Sequence, residues 1–318
     1  MNPSFHIVFL DRGTLPVAIR TPELPLQWQE HEITLPEQVV ERLAQAEVAI
    51  SNKVPLMAAS LAQLPKLKLI AVAATGTNNV DLDYCREHGI AVCNVSGYST
   101  DSVAEHVFAL LLALRRQLHS YHADILAGAW QRSAHFALLS HPLNDLHGST
   151  LGIFGYGHIG QAVARIAEAF GMKVLVAEHK NVTGIRAGRV PFEQMLEEAD
   201  VVTLHCPLTP ETRNLIGEPE LKRMKPTAIL LNLARGGLVD EATLALALRE
   251  KRIAGAGVDV LTSEPPRAGN PLLEMAGANC IVTPHIAWSS QQSLARLAEE
   301  IVLNIEAFYK GEKRNRIV

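Results

Sequence analysis

Three residues in this 318-residue chain are suited to acid–base chemistry on a small anion: Arg235, Glu264 and His285. Each follows a short apolar run, and such runs in alternating strand–helix chains end at the sheet edge where ligands bind. Arg235 stands in Asn232-Leu233-Ala234-Arg235-Gly236-Gly237, where two glycines suit a sharp turn that leaves the side chain projecting. A guanidinium grips a carboxylate through two parallel N–H bonds and can polarise a neighbouring carbonyl oxygen. Glu264 is followed by Pro265 and Pro266, which stiffen the chain beyond it. A fixed carboxylate orients an imidazole and stabilises its charged form. His285 sits between Pro284 and the nearby Trp288, which can wall a dry pocket, and a histidine there gives a proton to an oxygen or takes one away. The plainer readings are a surface salt bridge for the arginine, an exposed loop acid for the glutamate and a structural role for the histidine.

A second constellation is Gly155-Tyr156-Gly157-His158-Ile159-Gly160, which fits G-x-G-x-x-G. It follows an apolar run at 150–154 and opens a helical pattern at 161–170, the context that the motif requires. Gly155 permits the tight turn, Gly157 lets backbone approach a pyrophosphate, and Gly160 lets helix and strand pack closely. The free N–H groups of the helix start then face the phosphates. Glu178 falls 18 residues after Gly160, at the end of the next apolar run. An acid there accepts from ribose hydroxyls and repels a 2′-phosphate, which favours NAD over NADP, although His179 and Lys180 are cations able to tolerate the phosphate.

These residues need two sets of strands to position them. Apolar runs at 5–10, 32–35, 48–51, 67–73 and 91–95 read as strands, with helical patterns at 37–46 and 81–88. A second series at 151–154, 174–177, 201–205, 228–233, 256–260 and 281–283 begins after residue 150. Strand–helix alternation implies parallel sheets with right-handed crossovers. The fold class expected is α/β, with two doubly wound parallel-sheet domains, and the six strands of the second series match a dinucleotide-binding unit. Between the series, Ser102-Val103-Ala104-Glu105 has capping-box spacing, and the apolar pattern after it ends at Arg115 and Arg116, as in a long buried helix bridging two domains. Residues 291–308 read as an amphipathic helix.

Composition sets the outer bounds. The chain is 48% hydrophobic and 19% charged with a net charge of −4, and it shows no basic stripe of the kind nucleic-acid binders carry. The longest strongly apolar stretch, 107–114, is too short to span a bilayer, and Asp11 directly after 7–10 argues against a signal peptide. Cys85, Cys93, Cys206 and Cys280 are scattered without Cys-x-x-Cys spacing, which points away from a metal site and towards a reducing cytoplasm.

Taken together, residues 155–160, 232–240, 257–265 and 283–289 resemble the D-isomer-specific 2-hydroxyacid dehydrogenase family, in four ordered motifs over nearly the whole chain. The resemblance puts the family's catalytic Arg, Glu and His on Arg235, Glu264 and His285, and a residue near the nicotinamide on Asp259. It implies a flavodoxin-like substrate-binding domain made of residues 1–100 and 289–318, with a Rossmann NAD-binding (dinucleotide-binding) domain at 101–288 inserted between them. It also implies that backbone N–H groups at Thr75 and Gly76 meet the substrate carboxylate, with Trp288 beside the substrate. Thr100, Tyr156, His158, Ile159, His205, Pro207, Thr212, Leu233 and Ala234 would line the cofactor, although His205 serves equally well as a hydrogen-bonded structural residue. Trp130 resembles a dimer-loop tryptophan, which implies a homodimer; packing within the core is its alternative.

The Ile286-Ala287-Trp288 segment resembles the glycerate dehydrogenase/hydroxypyruvate reductase branch. The resemblance implies hydride transfer between NAD(H) and a 2-keto acid held between the domains. Hydroxypyruvate/D-glycerate is the expected pair, and glyoxylate, D-lactate and phosphoglycerate are the alternatives. Phosphite is a further alternative, and formate a weaker one because its oxidation usually needs Gln where Glu264 stands. An NADH-sensing corepressor-like protein is the non-enzymatic alternative.

Overall fold

The computed structural model describes residues 5–182, 184–277 and 279–318. The chain divides into two compact units, Met1–Ser99 with Ser289–Val318, and Thr100–Trp288.

The first unit holds β1 (Phe5–Phe9), β2 (Leu26–Glu30), β3 (Val48–Ser51), β4 (Leu69–Val72) and β5 (Ala91–Cys93), all parallel in the order β2-β1-β3-β4-β5. This is the flavodoxin-like order. β3 and β4 are buried along their whole length, as expected of inner parallel strands covered on both faces. Each fully buried Val, Leu or Ile there contributes about 1.5–3 kcal/mol relative to exposure. The helix Gln291–Tyr309 packs against β4 and is capped by Ser290, whose side chain accepts from Ser293 N. Arg20 donates to both Glu299 and Glu306 of that helix, fixing its outer face.

One expected strand is misplaced. Residues 32–35 are not a strand; β2 lies at Leu26–Glu30, paired with β1 from Phe5↔Leu26 to Phe9↔Glu30. The alternating polar residues of an edge strand hid it, whereas the apolar residues that marked 32–35 face outward, Ile33 at 70% exposure.

The second unit holds β6 (Thr150–Phe154), β7 (Lys173–Val176), β8 (Val201–Leu204), β9 (Ile229–Asn232), β10 (Gly255–Val258) and β11 (Cys280–Val282), parallel in the order β11-β10-β9-β8-β6-β7. A parallel bridge between Ala177 and Val190 adds a one-residue remnant of a further strand beyond β7. With it, the order is that of a Rossmann sheet, and strand order reverses between β6 and β8. The helix Thr100–Arg115 packs with the helix His158–Ala169 through Val103, Val107, Leu111, Ala162 and Val163. That first helix starts at Thr100, two residues before the expected cap. Ser102 is therefore internal, and its hydroxyl donates to Ala287 O at 2.6 Å instead of capping.

Candidate active site

The glycine loop lies where β6 meets the helix His158–Ala169, beside the reversal of strand order. Gly155 has φ +95°, and a Cβ on it would sit 2.5 Å from His205 C and O, so only glycine lets this turn lie against the end of β8. At Gly160 a Cβ would meet Gly155 O at 2.2 Å. At Gly157 a Cβ meets nothing within 4 Å, so the missing side chain leaves open space in front of the helix start. Two glycines required by packing and one facing open space make a cradle that fits a dinucleotide pyrophosphate. Tyr156 and His158 are exposed beside it, and Ile159 is half-buried against the core.

Around the cradle the other expected residues are placed as follows. His205 is half-buried and shares a hydrogen bond with Thr203 Oγ1 at 3.0 Å, and desolvation pushes its imidazole down to about 4. It is therefore neutral near pH 7. Pro207 is exposed, and its carbonyl accepts from Thr212 Oγ1 at 2.8 Å, which ties that loop into a turn. Leu233 is buried in the core beside the helix Thr100–Arg115, and Ala234 is half-buried. Thr100 is the first residue of that helix.

Glu178, expected as a ribose acceptor, is buried and already engaged. Arg186 donates to it from Nε at 2.6 Å and from Nη2, and His179 N donates at 2.8 Å. The Arg186 guanidinium is the main reason that the Glu178 carboxyl lies far below the usual carboxylate range.

The catalytic candidates gather at the C-terminal ends of β9, β10 and β11. Asn232, buried at the end of β9, accepts from Ala234 N at 3.2 Å and donates to Arg235 O at 2.9 Å, so it moulds the loop that carries Arg235. The guanidinium donates to Ala234 O at 2.6 Å. At Gly236 a Cβ would stand 2.0 Å from Leu261 O, so this loop is pressed against the backbone of the segment that leads to Glu264. Glu264 Oε1 accepts from Leu261 N at 2.8 Å, and Oε2 lies 2.6 Å from His285 Nδ1. A carboxylate only accepts, so Nδ1 carries the hydrogen in this pair and Nε2 is left for a ligand.

His285 takes up φ +55°, a conformation that costs a non-glycine residue energy and must be held in place. Asp259 does the holding. Buried at the end of β10, it accepts from Thr283 Oγ1 at 2.5 Å, Ile286 N at 3.0 Å and Ala287 N at 2.9 Å, while its carbonyl accepts from His285 N at 2.8 Å. His106 reaches Thr283 Oγ1 at 3.1 Å. Trp288 Nε1 donates to His285 O at 2.8 Å, so the indole braces the same turn. A cavity of about 300 Å³ opens here, lined by Asp259, Glu264, Pro265, Thr283 and His285 among others.

In the first unit, Thr75 and Gly76 follow β4. Thr75 Oγ1 donates to Val95 O at 2.8 Å and Asn94 Nδ2 donates to Thr75 O at 2.7 Å, which fixes the loop backbone. Trp130 is 49% exposed and donates from Nε1 to Phe136 O at 3.0 Å; it is not packed into a core. Asn232, Gly236 as a contact point, His106, Thr283 and Arg186 were not singled out from the sequence. Only the glycine pair offered a signal there. Among the described residues no group of three or more His, Cys, Asp or Glu can hold a metal ion, and no helix is long and apolar enough to cross a membrane.

The family described as D-isomer specific 2-hydroxyacid dehydrogenase, NAD binding domain, matches residues 108–287. A glycerate dehydrogenase of Methylorubrum extorquens is 48% identical over 310 residues, which covers 97% of this chain and 98% of that protein. A hydroxypyruvate reductase of Blautia hydrogenotrophica is 38% identical, covering 88% of this chain and 87% of that protein. The crystal structure of D-lactate dehydrogenase from Aquifex aeolicus, complexed with NAD and lactic acid, superposes with a TM-score of 0.79 at 30% identity, covering 96% of each chain.

Proposed function

The chain belongs to the D-isomer specific 2-hydroxyacid dehydrogenase family, and from that membership we propose that its reaction is the interconversion of hydroxypyruvate and D-glycerate. It is an NAD-dependent oxidoreductase of 2-hydroxy acids. The choice of substrate rests on the extent of similarity to a glycerate dehydrogenase and on the Ile286-Ala287-Trp288 segment.

The observation that carries the mechanism is the 2.6 Å contact between Glu264 and His285 Nδ1. When bound, the nicotinamide supplies the hydride for reduction or accepts it in oxidation. Arg235 holds the substrate carboxylate and draws electron density from the adjoining carbonyl. His285 Nε2 delivers a proton to the keto oxygen and recovers it in the reverse direction. Glu264 stabilises the imidazolium and fixes its ring, and Asp259 fixes the turn beneath it. Backbone N–H groups at Thr75 and Gly76 are further donors in this reading, and Trp288 closes the apolar side. For the cofactor, Gly155, Gly157 and Gly160 cradle the pyrophosphate. Thr100, Tyr156, His158, Ile159, Glu178, His205, Pro207, Thr212, Leu233, Ala234 and Asp259 form the rest of its surroundings.

We assign the working form as a homodimer. Its support is an apolar stretch in which Leu126, Trp130, Phe136 and Leu139 are all exposed, Phe136 at 94%. The free, buried thiols Cys85, Cys93, Cys206 and Cys280 support a cytoplasmic setting.

A rate comparison across hydroxypyruvate, glyoxylate, pyruvate and phosphohydroxypyruvate tests the substrate, with hydroxypyruvate expected to give the highest kcat/KM. His285→Ala is expected to abolish turnover while NADH still binds. Equal loss of both would defeat the assignment of roles.

A further inference from the structure

The adenosine end of the cofactor site departs from what discriminates against a 2′-phosphate. Discrimination needs a carboxylate open to the ribose hydroxyls. Here both Glu178 oxygens already accept protein hydrogen bonds: Oε1 from His179 N and Arg186 Nη2, Oε2 from Arg186 N and Nε. Glu178 is 2% exposed, whereas the Arg186 side chain is 56% exposed and covers it from outside. Arg189 Nε lies 4.0 Å from Glu178 Oε2, and Arg189 Nη1 is anchored on Ala177 O at 3.0 Å. Nearby, Lys180 pairs with Glu220 at 2.8 Å and the two charges cancel. Two guanidiniums against one carboxylate leave one positive charge where a free acid would leave a negative one.

We infer that Arg186 makes this end of the site a receptor for a phosphate monoester, so that the chain binds NADPH as well as NADH. The inference rests on the dehydrogenase reading above. Arg186 uses Nε and Nη2 on Glu178, and Nη1 takes no part in that pairing. A guanidinium can therefore keep its buried partner and still donate to a phosphate oxygen. The 2′-hydroxyl of NADH needs no such charge and is accepted by the same surface.

Equilibrium titration of the whole protein with NADH and with NADPH, without substrate, tests this through intrinsic fluorescence. NADPH is expected to bind within tenfold of NADH, and added salt weakens NADPH the more because the extra attraction is between exposed charges. Arg186→Ala should weaken NADPH about tenfold to a hundredfold more than NADH, the range for loss of a charge-assisted hydrogen bond. Arg186→Lys, which keeps the charge but loses the fork, should fall between. NADH binding with NADPH more than tenfold weaker overturns the inference, as does an equal effect of Arg186→Ala on both. Failure of both cofactors to bind overturns the dehydrogenase reading instead.

Discussion

Replacing Gly236 by alanine would separate Arg235 from the Glu264–His285 pair without touching any of the three. The added Cβ would stand 2.0 Å from Leu261 O and 2.1 Å from Leu261 C, where ordinary contacts begin at 3.4 Å, so one backbone must move by about 1.4 Å. If the Arg235 loop moves, the guanidinium leaves its place. If the 261–262 segment moves, it carries Leu261 N, which holds Glu264 Oε1 at 2.8 Å, and the His285 contact goes with it. A displacement of about 1 Å in a reacting constellation costs on the order of a hundredfold in rate. Overpacking of this kind costs about 1–3 kcal/mol of stability. Gly237 is the control: its φ is +81° but the nearest atoms to a Cβ are side-chain atoms of Leu208 at 3.5 Å and Arg213 at 3.7 Å, so Gly237→Ala strains the turn by about 1–2 kcal/mol without moving either loop. Initial rates with hydroxypyruvate and NADH, NADH affinity and thermal midpoints would be measured on both variants. The expected result is kcat/KM down about a hundredfold in Gly236→Ala, NADH affinity largely kept, and a far smaller rate loss in Gly237→Ala. Unchanged kcat/KM in Gly236→Ala would refute the claim that this contact sets the catalytic geometry.

Two further outcomes follow from burial and exposure. His205 titrates at about 4 when folded against about 6.5 when unfolded, so the unfolded chain binds more protons between those values. Its contribution to stability is then complete above pH 6.5 and declines as pH falls towards 4, by at most about 3 kcal/mol; urea midpoints of wild type and His205→Gln should show a shallower acid slope in the variant, and parallel slopes would contradict it. Phe136→Asp with Leu139→Asp should halve the molecular mass measured by light scattering if the exposed apolar stretch joins two copies, and an unchanged mass would remove that stretch from the interface.

Most of the framework was legible in the sequence because parallel strands covered on both faces are continuous apolar runs. β3, β4, β6, β8, β9, β10 and β11 overlap the apolar runs that marked them. β2 was not, because an edge strand need bury little, and the polar residues of Leu26–Glu30 carry no such run. The glycine loop, Arg235, Glu264 and His285 were legible because each depends on residue type in a local setting. A cap at Ser102 was not there, because the seryl hydroxyl found Ala287 O, 185 positions away in sequence. The role of Asp259 likewise arises from contacts 24 to 28 positions away, whereas Asn232 and Arg186 act on near neighbours through side-chain geometry that residue type does not announce. An apolar run reports burial, which is a local property; a hydrogen bond between the ends of two strands depends on which strands the fold sets side by side. Thus the sequence by itself determined the glycine turn and the loop positions of Arg235, Glu264 and His285, while tertiary structure alone decided that Asp259 holds the histidine turn, that Gly236 seats the arginine loop, and that Glu178 lies under a guanidinium.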